Sequence, residues 1–133
     1  MSKTTHFNKL KKIFARLHGK NGCSWDKKQT HKTLIPYLRE EIRELIEAIN
    51  HKDTEHIKEE LGDILLHVMF QAQIAQKKGL FDIEDVIEEL IDKLKRRHPH
   101  VFGKVKVRST KEILHNWKKI KKQEQERNKV CTK

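Results

Sequence analysis

A chain of 133 residues with 35% hydrophobic and 37% charged residues can bury a modest core, and only through amphipathic elements. Its five glycines and two prolines are too few for a turn-rich all-β fold, so helices are favoured. The net charge of +11 comes from the ends, since residues 1–20 hold six Lys or Arg and no acid, and residues 104–133 hold eleven against three. Such ends suit phosphate-bearing ligands, nucleic acid or simple solubility.

The spacing of the two cysteines indicates the redox environment in which the protein is expected. Cys23 and Cys131 are far apart in sequence and form neither a zinc motif nor a disulfide framework. No signal peptide is visible, and no apolar run approaches the ~20 residues of a membrane span. We therefore expect a cytoplasmic protein with no membrane partner.

Hydrophobic periodicity predicts an all-α helical bundle. Helices are expected over about 5–18, 31–50, 54–78 and 82–98, and a last helix follows the capping-box pattern at 109–112. Residues 19–26 are predicted to be a loop, and a basic loop is expected after His98 and Pro99. Thr30 or Thr33 can cap the second helix, with Pro36 in its first turn. We expect one domain over 1–124 and a basic, disordered tail over 125–133.

Apolar stripes indicate which helix faces are buried. The second helix has one stripe, formed by Leu38, Ile42, Leu45 and Ile49. The third is apolar around most of its circumference, with a first stripe of Leu61, Leu65, Val68 and Ala72 and a second of Leu66, Phe70 and Ile74. One small bundle has little core left to cover both stripes, so we predict at least a dimer.

Acidic residues are grouped on the second and third helices. Residues three or four apart are neighbours on a helix, which brings together Glu40, Glu41 and Glu44 on one and Glu60 and Asp63 on the other. In an antiparallel hairpin that turns near position 52, Glu44 and Glu60 are each eight residues from the turn. Glu41 and Asp63 are each eleven away, so the acids form two facing pairs.

Facing carboxylates beside an apolar helix require compensation. They repel each other and lose hydration, which costs several kcal/mol unless a cation is present. Oxygen ligands on two rigid helices suit Mg²⁺, or Mn²⁺, bound together with a phosphate group. An isolated glutamate-rich helix face is usually only solvated. Five acids matched across a hairpin favour a metal site instead.

Two basic and aromatic pairs could bind a nucleotide. Lys93 and Arg97 share one helix face, and Trp117 and Lys121 have the same spacing on the last helix. The tryptophan could stack on a base while the cations reach phosphate. Alternatively, the cations complement a helix dipole and Trp117 packs in the core. Trp25, in the predicted loop, likewise needs either a core or a ligand as its partner.

Four segments together resemble the MazG nucleotide pyrophosphohydrolases. They are GCSWDKKQTH at 22–31, EEIRE at 40–44, ELGD at 60–63 and RRHPHVF at 96–102. The resemblance covers about residues 7–124 and is greatest to the N-terminal copy of relatives that carry two such domains. It implies an all-α fold related to the dimeric dUTPases, acting as a homodimer or a dimer of dimers. It also implies hydrolysis of ribo- or deoxyribonucleoside triphosphates to a nucleoside monophosphate and pyrophosphate.

The resemblance also implies residue roles. Glu41, Glu44, Glu60 and Asp63 would hold the metal, and Glu40 would orient or deprotonate the attacking water. The residues in nucleotide-contact positions would be Lys93, Arg97, Trp117 and Lys121.

Two other functions remain open. The chain could be a non-catalytic nucleotide-binding regulator with the same fold, or a basic helical module that binds nucleic acid. The second explains the charge of +11 but leaves the matched acids unexplained, and no nucleic-acid motif is present.

Overall fold

The computed structural model describes residues 5–131, which form seven α-helices and no strand. The bounds are α1 His6–Leu17, α2 Ser24–Lys28, α3 Ile35–Asn50, α4 Thr54–Lys77, α5 Ile83–Arg97, α6 Pro99–Phe102 and α7 Thr110–Cys131. The predicted all-α class is confirmed. None of the helices in this part of the chain is long and apolar enough to span a membrane.

The chain divides into two compact units, residues 1–83 and 84–133. The last helix continues to Cys131, although a basic, disordered tail is expected from the sequence over 125–133. Glu124 explains part of this extension, because its carboxylate bonds Arg96 and Arg97 and ties the helix to α5. Residues 132 and 133 lie outside the described residues, and the domain limit at 124 stays a prediction.

The core of the first unit is built around the C-terminal half of α4. Phe70 meets Phe14 of α1 edge to face, with ring centroids 6.2 Å apart, and lies 5.0 Å from the ring of His18. The buried apolar side chains of this unit are Phe14, Leu34, Ala48, Met69, Phe70, Ala72, Ile74, Ala75 and Ile83. Packing of α1 and α3 on α4 therefore fixes the fold of the first unit.

The prediction of the buried faces is partly wrong. Phe70 and Ile74, from the second predicted stripe of α4, lie in the core, whereas Leu61, Leu65 and Val68 are 52%, 44% and 41% exposed. On α3, Ile42 and Ile49 are exposed and Ala48 is buried instead. Because α4 carries apolar residues on two sides, its pattern alone does not specify which side meets the core.

The α3–α4 connection has the predicted position. It consists of residues 51–53, and Lys52 adopts a left-handed conformation with φ of 55°. Asp53 caps α4 by accepting a 3.2 Å hydrogen bond from the amide of His56. Such a short link holds the two helices side by side and antiparallel.

The start of α3 differs from the prediction. Pro36 lies in the first turn as expected, but Leu34 is the N-cap and makes no side-chain cap bond. Thr30 and Thr33 instead bond each other, each amide donating to the other's hydroxyl at 2.9 and 3.2 Å. The two threonines therefore form a closed turn before the helix.

Two segments predicted as loops contain short helices. Residues 24–28 form α2, and residues 99–102 form α6 after Pro99, whose fixed φ suits a first helical turn. Gly22 lets the chain turn back closely onto the end of α1, where the amide of Cys23 donates a 2.8 Å bond to the carbonyl of Leu17.

Two glycine-to-alanine changes should have opposite effects on stability. A Cβ on Gly22 would lie 2.2 Å from the Leu17 carbonyl oxygen, so we expect Gly22→Ala to cost about 1–3 kcal/mol. Gly62, inside α4, has nothing within 4 Å of that position, and Gly62→Ala should gain about 1 kcal/mol. Urea unfolding followed by circular dichroism measures both. A destabilised Gly62→Ala would contradict the open space beside α4.

Candidate functional site

Three carboxylates of the α3–α4 hairpin lie close together. One oxygen each from Glu44, Glu60 and Asp63 can be chosen so that all three lie within 4.8 Å of one another. Glu44 belongs to α3, and the other two belong to α4 at helical spacing. The register about Lys52 accounts for the meeting, because it places Glu44 opposite Glu60.

Glu60 is the most buried member of this group. The residue is 7% exposed, and its Oε2 has no hydrogen-bond partner. Burial raises the pKa of Glu60 above its ordinary value, and the charges of Glu44 and Asp63 and a hydrogen bond with Glu44 raise it further. A carboxyl in such surroundings is unstable as an anion unless a cation lies beside it.

Glu41 experiences the same electrostatic field. Burial, followed by the charges of Asp63, Glu44, Glu60 and Glu40, raises its pKa to about 6. Its Oε2 lies 3.4 Å from Nε2 of buried His67, which is ion-pair distance, yet the atoms are not aligned for a hydrogen bond. Because burial lowers the pKa of His67, the imidazole is neutral near pH 7 and does not neutralise Glu41.

The residues present fit a hard divalent cation. The site offers carboxylate oxygens, which Mg²⁺ and Mn²⁺ prefer, and buried oxygens of Glu41 and Glu60 lack partners. A bound cation would remove the repulsion that raises both pKa values. Glu41 lies outside the closest group of three, and Glu40 is exposed beside it. The individual roles of the five acids stay predictions.

Trp25 lies at the surface of the first unit. Its side chain is about half exposed and meets Tyr37 edge to face at 5.8 Å and Phe70 at 6.3 Å. The segment after α2 is fastened to α4 by hydrogen bonds between His31 and Gln71. Trp25 is therefore a partly covered surface residue that rests on the core.

The predicted nucleotide-contact residues belong to the second unit. The Arg97 guanidinium lies 5.0 Å from the centre of the Trp117 ring, and the Lys121 ammonium lies 5.5 Å from it. Lys93 and these two cations line one cleft. The half-buried Trp117 thus holds two cations.

Glu124 was missed by sequence reasoning. It pairs with Arg96 and Arg97, and it lies at residue 124, the predicted end of the domain. A signal was present, because Glu124 follows Trp117 by seven residues and Lys121 by three. These intervals place all three on one face of a helix.

Comparisons with known proteins agree with this geometry. Residues 29–102 match the sequence model of a protein family, the MazG nucleotide pyrophosphohydrolase domain. The chain is 53% identical to the nucleoside triphosphate pyrophosphohydrolase/pyrophosphatase MazG of Thermotoga maritima over 123 residues, which are 92% of this chain and 47% of that protein. It is 44% identical to the nucleoside triphosphate pyrophosphohydrolase of Escherichia coli K12 over 118 residues, covering 88% and 45%.

A solved structure shares the fold. The crystal structure of a mazG-related protein from Thermotoga maritima matches with a TM-score of 0.68 and 33% identity, covering 85% of this chain and 96% of that chain. The fold and the site therefore define the class of protein: an all-helical domain that carries a carboxylate cluster on a helical hairpin. The chain belongs to the MazG nucleotide pyrophosphohydrolase family. It spans about half the length of the Thermotoga and Escherichia relatives.

Removing the Glu41 charge should stabilise the metal-free protein at neutral pH but not at acid pH. Because the pKa is raised from 4.5 to about 6 on folding, the protonated carboxyl stabilises the fold below 4.5, and this contribution is lost as pH rises through 6. In EDTA, the free energy of unfolding of Glu41→Gln should therefore exceed that of the wild type by about 1–2 kcal/mol at pH 7.5, because solvent screening reduces the full effect of the shift. The two values should be equal near pH 4.

Urea unfolding at a series of pH values measures this difference. Glu47→Gln is the control, because Glu47 is an exposed glutamate of the same helix and loses the same charge. A difference between Glu41→Gln and the wild type that does not change with pH would contradict the electrostatic interpretation of the cluster.

Proposed function

We propose that this domain hydrolyses nucleoside triphosphates, ribo or deoxyribo, to a nucleoside monophosphate and pyrophosphate. Water attacks the α-phosphorus, a new P–O bond forms, and the bond to the bridging oxygen between the α- and β-phosphates breaks. Pyrophosphate leaves with the electron pair of that bond. Mg²⁺, or Mn²⁺ in its place, would be held by Glu41, Glu44, Glu60 and Asp63.

One observation carries the proposal. Carboxylate oxygens of Glu44, Glu60 and Asp63 lie within 4.8 Å on two rigid helices, and the buried Oε2 of Glu60 has no partner. A purely structural cluster would be expected to satisfy that oxygen with a donor. The names of the relatives support the same activity, since those from Thermotoga and Escherichia are nucleoside triphosphate pyrophosphohydrolases.

The acidic side chains of the hairpin would have two roles in the reaction, binding the metal ion and activating the attacking water. Mg²⁺, when bound, supplies positive charge beside the phosphate chain and makes a water molecule more acidic. Exposed Glu40 is one residue from Glu41 and is not needed to complete the ligand set. We assign to it the orientation of the attacking water and the acceptance of its proton.

The second unit would supply contacts to the nucleotide. We assign phosphate contacts to Lys93, Arg97 and Lys121, whose charges offset those of a triphosphate. Trp117 would stack on the nucleotide, as aromatic residues do with bases. The cation–π contacts of Arg97 and Lys121 with this ring support a shared role for the three residues.

We also propose that the protein works as a homodimer or a dimer of dimers in the cytoplasm. Both helices of the hairpin expose apolar side chains at helical spacing, which are Ile35, Ile42, Ile46 and Ile49 on α3 and Leu61, Leu65 and Val68 on α4. Large contiguous apolar surfaces on soluble proteins usually mark interfaces. We propose that a second copy of the chain covers these side chains, because a two-fold interface uses the same surface on both subunits.

Asp63→Asn should abolish Mg²⁺-dependent turnover while raising the apo melting temperature by a few degrees. The reason is that the substitution removes both a ligand and a repelling charge. We expect turnover to fall by more than about 100-fold, since even the outer-shell partners of a metal contribute about 10–100-fold. The assay uses a panel of NTPs and dNTPs, with chromatography separating pyrophosphate from phosphate.

The matched control for Asp63→Asn is Glu88→Gln, which neutralises an exposed carboxylate of α5. It should change neither the turnover nor the melting temperature of the apo protein. Wild-type activity in Asp63→Asn would show that the metal site is wrong. Tight Mg²⁺-dependent nucleotide binding without turnover in the wild type would support the non-catalytic regulator. Salt-sensitive binding of DNA or RNA, without binding or turnover of nucleoside triphosphates, would support the nucleic-acid-binding module.

Ile46→Glu should shift the protein toward monomer. Ile46 is 52% exposed on α3, and a buried glutamate at a two-fold interface would be desolvated in both copies. Light scattering at micromolar concentration measures the mass. Leu80→Glu is the control, because Leu80 is 66% exposed outside the hairpin surface. A wild type that is already monomeric would count against the assembly.

A further inference from the structure

The second unit contains an ion-pair cluster that joins its two long helices. Nε of Arg96 donates to Oε1 of Glu124 at 2.8 Å. Nη2 and Nε of Arg97 donate to Oε2 at 2.9 and 3.3 Å. The side chains of Arg97 and Glu124 are only 13% and 15% exposed. One carboxylate therefore binds two guanidinium groups, and its pair with Arg97 is largely desolvated whereas Arg96 is 46% exposed.

This cluster lines a strongly basic cleft. The cleft has a volume of about 440 Å³, and its basic side chains are Lys93, Arg96, Arg97, Lys121 and Arg127. Two carboxylates, from Glu89 and Glu124, also line it. With five positive and two negative groups, the cleft keeps a net charge of +3 while Glu124 is in place. Such an excess attracts a further or more highly charged anion.

Trp117 keeps the guanidinium of Arg97 in position independently of Glu124. The ring centre lies 5.0 Å from Cζ of Arg97, and Lys121 approaches the same ring at 5.5 Å. Cation–π attraction holds a guanidinium over an indole without using its N–H donors. The donors of Arg97 can therefore change acceptor while the side chain stays on the ring.

We propose that Glu124 is an internal competitor, and that its carboxylate occupies the position of one phosphate group of a di- or triphosphate chain until such a ligand displaces it. This inference rests on the proposed function, because it concerns the residues assigned there to the nucleotide's phosphates. It adds a regulatory element to them, a self-occupied site that weakens binding of phosphate ligands.

The exchange is favourable in charge and geometry. Hydrogen bonds to Arg96 and Arg97 hold the pKa of Glu124 below its usual value, so the displaced group is an anion at neutral pH. A carboxylate offers one charge and two oxygens, whereas pyrophosphate offers more of both to the arginine forks. The apparent dissociation constant is the intrinsic value divided by the fraction of molecules in which Glu124 has left the site.

Inorganic pyrophosphate tests this competition in EDTA, by isothermal titration calorimetry at constant ionic strength. Glu124→Gln should bind pyrophosphate about tenfold more tightly than the wild type if Glu124 is displaced in about a tenth of molecules. Glu126→Gln is the matched control, because it removes an exposed charge of the same helix. Equal affinity in the two variants, weaker binding in Glu124→Gln, or no binding to either would overturn the proposal.

A measurement on the wild type covers the case in which Glu124→Gln fails to fold. Carboxyl-detected NMR should show the pKa of Glu124 returning toward its ordinary value when pyrophosphate saturates the cleft. A pKa that stays lowered would identify Glu124 as a structural tie and refute displacement. These assays contain no metal and no triphosphate, so a negative result would not contradict the proposed hydrolysis. A negative result in the Asp63→Asn test would likewise not contradict the proposed competition by Glu124.

Discussion

The α3–α4 hairpin holds Glu41, Glu44, Glu60 and Asp63 near one another, and the rest of the first unit has to offset their repulsion. The raised pKa values of Glu41 and Glu60 record that cost. The 24-residue α4 separates the two tasks along its length. Its N-terminal half carries the acids, and its C-terminal half, from Met69 to Ala75, supplies most of the buried core. The helix is thus stabilised at one end and destabilised at the other, as is common at functional sites.

The second unit solves the opposite electrostatic problem. Arginine and lysine side chains gather around Trp117, and Glu124 offsets part of their charge within the same chain. At the hairpin, the buried Oε2 of Glu60 has no hydrogen-bond partner, and buried His67 is neutral where it approaches Glu41. Repulsion between carboxylates therefore dominates at the hairpin cluster, whereas the positive charge around Trp117 is matched in part by a carboxylate of the same unit.

The sequence predicted the hairpin because its register depends on local information. The polar turn at 51–53, the cap at Asp53 and helical spacing suffice to place Glu44 opposite Glu60. Burial was harder to predict, because α4 is apolar on two sides and its neighbours decide which side is covered. The length of the last helix was harder to predict for a related reason. That helix gains a distant partner through Glu124, and helix propensity within the segment does not reveal that contact.

The brevity of the α3–α4 connection has a consequence for how the protein folds. The most distant acids of the cluster, at positions 41 and 63, are joined through a link of only three residues, 51–53. Closing so short a loop costs little entropy and takes far less than a millisecond. Once α3 and α4 have formed, the carboxylates can therefore meet without contacts from the rest of the chain.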